Sequence, residues 1–485
     1  MAKGYRAPVV VVLGHVDHGK TTLLDYIRKS HVADKEAGKI TQSIGAYSAH
    51  VPIEGYHTQD ITFIDTPGHE AFTQLRVRGA NIADIAILII DASASVMPQT
   101  IESISHIQAA NIPFLVAMNK VDMQTANQDK VKADLAKHGV LTEGYGGNVP
   151  AVPISALKGD GVQDLLETLL LMAAEKNFTY DTESELQAYI IETHQDRAGT
   201  AASCVIKNGS LAVGDTVFAA QNEARIKALI NDSGVRVKEV VPSMPFVLFG
   251  FKEMPEVGMA LTRAKGAGKL SEPSPSDVPS ADPFADFFKQ DEAKKLKIVL
   301  KADSAGSLEA ITPALQKNDN LEVMLGGIGE ILESDIFLAK VSEAIVIGFS
   351  VPVPKNVESM AKTEKVVIKT YNIIYKLLEE LQEVSELIKE KEEQARTFKG
   401  EGKVQAIFHI DGLTIAGVKI TKGRIDLHDR AEHIRDNALK DEAIIVSIKQ
   451  RAHDVDTAKK GEEAGIQLDP QLDIKQGDVI KSYSI

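Results

Sequence analysis

Residues 14 to 21 read Gly14-His15-Val16-Asp17-His18-Gly19-Lys20-Thr21, between the apolar stretch Val9–Leu13 and a helical segment from about Lys20 to Lys29. The run fits GxxxxGK[ST] in strand–loop–helix position. In that setting successive backbone N–H groups and a helix N-terminus cradle anionic oxygens. Lys20 is expected to reach the β- and γ-phosphates of a nucleotide, and the Thr21 hydroxyl to ligate Mg2+. With Thr22, this segment is the candidate phosphate site.

Three further loops decide which nucleotide. Asp65-Thr66-Pro67-Gly68 follows the strand-like Ile61–Ile64. Asp65 is placed to hold the metal through water, and the Gly68 N–H to meet the γ-phosphate. Asn119-Lys120-Val121-Asp122 follows Phe114–Met118. A carboxylate there accepts two hydrogen bonds from guanine N1–H and its exocyclic amine, which adenine cannot supply. Ser155-Ala156-Leu157 follows Val149–Ile154, and its backbone can meet guanine O6. Each loop falls at the carboxyl end of a strand, where open α/β sheets bind ligands. GTP and Mg2+ are the expected ligands. His15 and His18 lie inside the cradle, so a phosphate loop is favoured over a metal pair.

The remainder of the chain extends this domain. Short apolar runs, including Ile85–Ile90, alternate with helical stretches at Gln99–Ala110, Gln128–His138 and Asp164–Ala174, as in a mostly parallel sheet covered on both faces. From Glu185 to Arg263 turn residues recur every 8–12 positions without a convincing helix, which reads as a small antiparallel barrel. SEPSPSDVPSADP reads as a linker. Strand and helix then alternate again, and a long helix is expected from about Tyr371 to Arg396. Its apolar stripe is Tyr371, Ile374, Leu378, Leu381, Val384 and Ile388, short for a coiled coil. After Gly400 the short-strand pattern returns. The expected fold class is multidomain α/β. It comprises a P-loop GTPase domain (1–177), a β-barrel (178–267), a linker (268–292), a second α/β domain (293–370), a long connecting helix (371–398) and a C-terminal β-barrel (399–485). The two barrels show no repeat in sequence.

Composition narrows the classes. The 485 residues carry 54 Lys+Arg against 68 Asp+Glu, a net charge of −14, which argues against nucleic-acid binding by the whole surface. One cysteine, Cys204, excludes an internal disulfide and any multi-cysteine metal site, and fits a reducing cytosol. The apolar runs are too short to span a membrane, and the N-terminus lacks a signal-peptide pattern. A cytoplasmic monomer without membrane contact is expected.

The strings GHVDHGKTTLLDYIR, ITQSIGAY, DTPGHEAFTQLRVRGA and MPQTIESISH, then VLKADSAGSLEAI, GGIGEILESDIFLA, TYNIIYKLLEEL and TIAGVKITKGRI, resemble the bacterial translation initiation factor 2 family over essentially the whole chain. By that resemblance Thr41 is the switch threonine that ligates Mg2+ when GTP is bound. His69 is the catalytic histidine that orients the attacking water, Val16 and Ile40 are the apolar pair that gates it, and Asp17 is the phosphate-loop aspartate. The resemblance further implies a ribosome-stimulated GTPase that promotes binding of initiator formylmethionyl-tRNA to the small ribosomal subunit. Joining of the large subunit and release after GTP hydrolysis would follow.

The chain departs from the family pattern. Lys39 and Ser43 replace the usual second glycine and histidine of the switch. In the C-terminal barrel, which holds the tRNA end in the family, Lys449, Asp454, Val455, Glu463 and Gly465 fit, and Arg451 can add charge. The usual aromatic and one lysine are gone, and Val418 and Ala464 stand where cysteines are usual. Residues 400–485 hold 13 Lys+Arg and 15 Asp+Glu, a net of −2. One alternative is therefore a ribosome-binding GTPase with weakened or lost initiator-tRNA recognition. Another is a specialised tRNA-delivering elongation factor, against which the second α/β unit and long helix count. The nucleotide domain begins almost at once, as in a short form or a fragment starting at the core.

Overall fold

The structure is a computed structural model. It describes residues 3–29, 41–196, 198–265, 295–395, 398–410, 413–435, 438–450 and 453–484. The expected linker, Ile40 and Arg451 lie outside them. The chain divides into two compact units, residues 1–381 and 382–485, and each is described by itself.

The first unit opens with β1 (Lys3–Tyr5), β2 (Val9–Leu13), β3 (Gly45–His50), β4 (Asp60–Asp65), β5 (Ile85–Asp91), β6 (Phe114–Asn119), β7 (Ala151–Pro153) and β8 (Thr179–Asp181). The helices are α1 (Lys20–Arg28), α2 (Thr73–Ile82), α3 (Pro98–Ala110), α4 (Gln128–Lys137) and α5 (Val162–Lys176). Six strands form one sheet in the order β3-β4-β2-β5-β6-β7, all parallel except β3 against β4. Every residue of β2 is fully buried. A strand covered on both faces shows no alternation, which is why VVVVL and IAILII are continuous apolar runs. The order reverses at β2, and the crevice beyond its carboxyl end holds the phosphate loop.

Nine strands follow: β9 (Gln187–Asp196), β10 (Gly199–Asn208), β11 (Leu211–Ala212), β12 (Thr216–Ala219), β13 (Asn222–Asn231), β14 (Arg236–Val237), β15 (Glu239–Val240), β16 (Pro245–Phe251) and β17 (Ala260–Thr262). Six of them close an antiparallel barrel, β9-β10-β16-β13-β12-β17 and back to β9. Its core includes Ile190, Cys204, Leu229, Leu248 and Phe251. Buried ions fasten it to the sheet. Asp84 accepts from Arg6 Nη2 at 2.9 Å, and Lys207 Nζ of β10 lies 2.8 Å away.

The same unit contains β18 (Leu296–Ala302), α6 (Ala305–Gln316), β19 (Leu321–Ile328), α7 (Glu333–Ser342), β20 (Ile345–Phe349), α8 (Lys355–Glu364) and β21 (Ile368–Tyr371). The strands form a parallel sheet, β19-β18-β20-β21. A long helix, α9 (Ile374–Ala395), begins here. It starts three residues later than the periodicity suggests, because Tyr371 is the last residue of β21. Its buried apolar positions among the described residues are Ile374, Leu377 and Leu381, whose cluster includes Ile298 and Leu300 of β18. The Ile388 side chain lies outside the described residues. Helix α8 escaped the sequence reading because only Val357 and Ala361 of its ten residues are buried.

The second unit holds β22 (Phe398–Ile410), β23 (Leu413–Asp426), β24 (Arg430–Arg435), β25 (Ala438–Gln450), β26 (His453–Asp454), β27 (Thr457–Lys459), β28 (Glu463–Asp469) and β29 (Val479–Tyr483). Six antiparallel strands close a barrel, β22-β29-β24-β25-β28-β23 and back to β22.

Candidate functional site: a nucleotide cavity with two switch segments

A cavity of ≈ 380 Å³ opens at the carboxyl ends of β2, β4, β6 and β7. At its floor, Gly19 caps α1 with φ 92°, without a side-chain cap. A Cβ at Gly19 would stand 2.3 Å from Asn119 Nδ2. Only glycine fits, and the first-turn N–H groups of α1 keep open donor capacity. Lys20 is buried and donates to Gly14 O at 2.9 Å and His15 O at 2.8 Å. Burial pulls its pKa below the ordinary value, and the Asp65 carboxylate partly restores it. The ammonium is thus held by carbonyls on the loop that a phosphate would share with it. His18 is buried, and burial with its neighbours His15 and Lys20 lowers it to about 4, so it is neutral beside the cradle.

A second cavity of ≈ 170 Å³ adjoins the first and is lined by Thr21, Asp25, Thr41, Tyr47 and Asp65 among others. Thr21 and Thr41 line both cavities. Their hydroxyl oxygens are 2.6 Å apart. Adjacent ligands of octahedral Mg2+ at ~2.1 Å stand ~3 Å apart, so the two hydroxyls need to part by only a few tenths of an ångström. The expected metal set therefore fits an oxygen-seeking cation. Among the described residues there is no cluster of three or more His, Cys, Asp or Glu able to hold a metal.

Gly68 presses on the phosphate loop. A Cβ there would come 2.5 Å from Lys20 Nζ and 3.0 Å from Val16 N. His69 follows, and its Nδ1 accepts from Ala71 N at 2.8 Å, capping the 3-10 turn Glu70–Phe72. Burial, chiefly, and the nearby Arg76 hold its pKa below 6.5. A neutral imidazole accepting at Nδ1 carries its proton on Nε2, so the free edge of His69 donates. Arg76, fully buried, donates to Pro67 O at 3.1 Å and His69 O at 2.6 Å and pairs with Glu102 at 2.7 Å. Burial works to raise Glu102, but hydrogen bonds from His106, Arg76 and Thr73 outweigh it and hold it at about 2. Thr66 is fully buried, and its hydroxyl donates to Val12 O at 2.8 Å.

At the base end, Asn119 lines the cavity and also braces it. Its Nδ2 donates to His18 O at 2.8 Å, and its Oδ1 accepts from Ala156 N at 2.9 Å, stapling three loops together. Lys120 Nζ pairs with Asp91 at 2.7 Å, which leaves its stem to line the cavity. Val121 N donates to Ile154 O. Asp122 lines the rim, and a hydrogen bond from Ser155 holds its carboxyl below the ordinary range, ionised as a guanine acceptor must be. Ala156 and the exposed Leu157 close that end. Sequence reasoning missed Asp91, Gln99, whose Oε1 accepts from Val16 N at 3.0 Å, and Tyr375. Gln99 stands inside the quoted MPQTIE string. Tyr375 lies off the apolar stripe of α9, and nothing in sequence brings it 300 residues back to the site.

The comparisons with known proteins agree with this geometry. Residues 6–175 match the Elongation factor Tu GTP binding domain, 185–264 Elongation factor G domain 2, and 277–382 Translation-initiation factor 2. Translation initiation factor IF-2 of Halothermothrix orenii is 40% identical over 99% of this chain and 72% of its own length. The chain belongs to the translation initiation factor IF-2 family. IF-2 of Alkaliphilus metalliredigens is likewise 40% identical, over 99% of this chain and 70% of its own. A solved structure, GDP-bound aIF5B from Aeropyrum pernix, is 26% identical over 99% of this chain and 92% of its own, with a TM-score of 0.44. The IF-2 chain is a translational GTPase that binds guanine nucleotide, and it acts in translation initiation. Among the described residues no helix is long and apolar enough to cross a membrane.

The residues expected to meet a tRNA end lie together on one part of the second barrel. Lys449 of β25 lies opposite Asp454 of β26 and Gly465 of β28. Lys449 Nζ is 3.6 Å from Asp454, and Glu463 is 3.8 Å from Lys419. Val455 packs against the barrel core. The exposed ammonium of Lys449 thus already has a carboxylate neighbour.

Proposed function

We propose that this IF-2 chain hydrolyses GTP on the ribosome after promoting initiator formylmethionyl-tRNA binding to the small subunit and joining of the large subunit, and that hydrolysis releases it. The observation that carries this reading is the convergence of Lys20, Thr21, Thr41, Gly68 and His69 on one cavity whose far end presents Asp122. Mg2+, held by Thr21 and Thr41 with Asp65 through water, would neutralise charge between the phosphates. Lys20 would exchange its loop carbonyls for phosphate oxygens. His69 would hold the attacking water through its Nε2–H, orienting rather than deprotonating it. Asp122 would select guanine. The six-segment division, with a tRNA-binding barrel at the C-terminus and cytoplasmic residence, belongs to the same proposal.

The test is hydrolysis with and without ribosomes, alongside assembly of an initiation complex carrying labelled initiator tRNA. A steep rise with ribosomes is expected, and a His69→Ala chain should lose it while keeping GTP affinity. Equal rates with and without ribosomes would sink the proposal. The pairing of Lys449 with Asp454 favours a second reading, a ribosome-binding GTPase with weakened tRNA recognition. No preference for formylated over unformylated initiator tRNA would select it.

A further inference from the structure

The start of α9 touches both switch segments of the nucleotide site. Gln42, next to Thr41, accepts at Oε1 from Ile374 N at 2.9 Å and donates from Nε2 to Asn372 O at 2.7 Å. Ile374 N is one of the first N–H groups of the helix, which need an external partner. A side chain 332 positions earlier supplies it. One residue on, the Tyr375 ring lies against the His69 ring, with centroids 4.3 Å apart and planes at 56°. Both rings line the nucleotide cavity.

The contact matters because of what His69 has left to move. Its carbonyl is held by Arg76 and its Nδ1 accepts from Ala71 N. With the backbone held, the side-chain torsions are the freedom left to His69, and turning the ring toward an attacking water would give up the Nδ1 hydrogen bond. Tyr375 packs on the ring that has to rotate. Tyr375 is 43% exposed, so it is no core anchor whose place the packing of α9 dictates. Ile374 and Leu377, both fully buried, dock the helix without it.

We propose that Tyr375 is a positioning residue that holds His69 in its resting orientation, and that Gln42 clamps the start of α9 onto the switch so that hydrolysis is slowed while this helix end stays in place. The proposal rests on the role assigned to His69. A ring contact of this size restrains a rotamer modestly, so the effect is a brake rather than a block. The clamp joins the segment beside Thr41 to the start of α9, both within the first unit.

The experiment compares GTP hydrolysis by the full chain without ribosomes, with GTP affinity and thermal midpoint measured in parallel. Tyr375→Ala is expected to raise the rate about fivefold at unchanged affinity, the size expected for loss of one ring pair. Tyr375→Phe keeps the ring and should stay at the parent rate. Gln42→Ala should move the rate in the same direction by less. The double variant Tyr375→Ala/His69→Ala should fall back to the parent rate or below. An unchanged or lower rate for Tyr375→Ala at a normal midpoint overturns the proposal. So does a gain that survives in the double variant, or one equally present in Tyr375→Phe. A lowered rate for Gln42→Ala removes the clamp. If Tyr375→Ala lowers the midpoint, Tyr375→Leu, which keeps apolar bulk without the ring, decides in its place. His69→Ala alone on ribosomes reports separately on the role of His69, so the two failures are distinguishable.

Discussion

The two barrels share one circuit and almost nothing else. Numbering the closing strands of each in chain order, both run first, second, fifth, fourth, third, sixth and back to first, antiparallel throughout. Their interiors differ. The first encloses Phe246, Phe251 and Cys204, and its buried charge faces outward to the nucleotide sheet through Lys207 and Asp84. The second has an aliphatic core and keeps its buried charge to itself. Asp478 accepts from His433 at 2.7 Å and from Arg435 at 2.9 Å, while Lys399 joins Asp426 and Asp429. A hydrogen-bonded circuit tolerates unlike fillings, and each barrel's task lies in what its polar groups face.

Substitutions that break this contrast are ordered by expected size. Asp84→Ala strands Arg6 and Lys207, both largely buried, and is expected to cost the first unit about 3–5 kcal/mol in denaturant unfolding. A loss near zero would mean that the barrel does not depend on the sheet for its charge.

Next is Glu192 on β9, which accepts from Gly306 N at 3.1 Å at the start of α6. Burial raises its carboxyl from 4.5 to about 7, against hydrogen bonds from Thr193 and Gly306. Between those values the folded chain keeps a proton that the unfolded chain has released. Stability therefore falls as pH rises from about 4.5 to 7, by up to about 3 kcal/mol, and stays lower above it. Glu192→Gln should flatten that decline, and melting midpoints taken from pH 5 to 8 would show it. Parallel curves for parent and variant would refute the assignment.

In the second barrel, Asp478→Asn should cost about 2 kcal/mol, the worth of hydrogen bonds to a charged acceptor. Burial works to raise Asp478, but hydrogen bonds from Arg435, Lys475 N and His433 hold it far below the usual carboxylate range. Its contribution is present above pH 3.8 and lost in acid. Nucleotide affinity should not change, and a change would show that the second unit's interior is coupled to the first. Smallest in stability is Lys449→Ala, within about 0.5 kcal/mol for an exposed pair. Its readout is initiator-tRNA binding, where losing one phosphate contact lowers the salt slope by about 1. An unchanged slope would count for the weakened-recognition reading.

Much of the site was legible because the loops at the ends of β2, β4, β6 and β7 carry local patterns whose chemistry is fixed by spacing. The strands were legible for the same reason as their burial, since VVVVL needs two covered faces. What stayed hidden is set by pairing at long range. The shared circuit of the barrels is written in partners, not in residue types, and unlike cores leave no repeat to detect. The bracing role of Asn119 is likewise set at long range, since its partners His18 and Ala156 lie 101 and 37 positions away. Tyr371 fits a helical period yet ends a strand, because its backbone pairs with Phe349.

Cys204, alone in the sequence, has no partner for an internal disulfide. In the fold it sits on β10 with its thiol against Ala202 O, between Ile190 and Phe246 on the flanking strands. Burial pushes the thiol well above its ordinary pKa, which suppresses the reactive thiolate. As the only sulfhydryl in 485 residues, it makes the unmutated protein its own clock. Labelling by a thiol reagent can proceed only when the first barrel opens, so its rate times that opening alone, whatever the second barrel is doing.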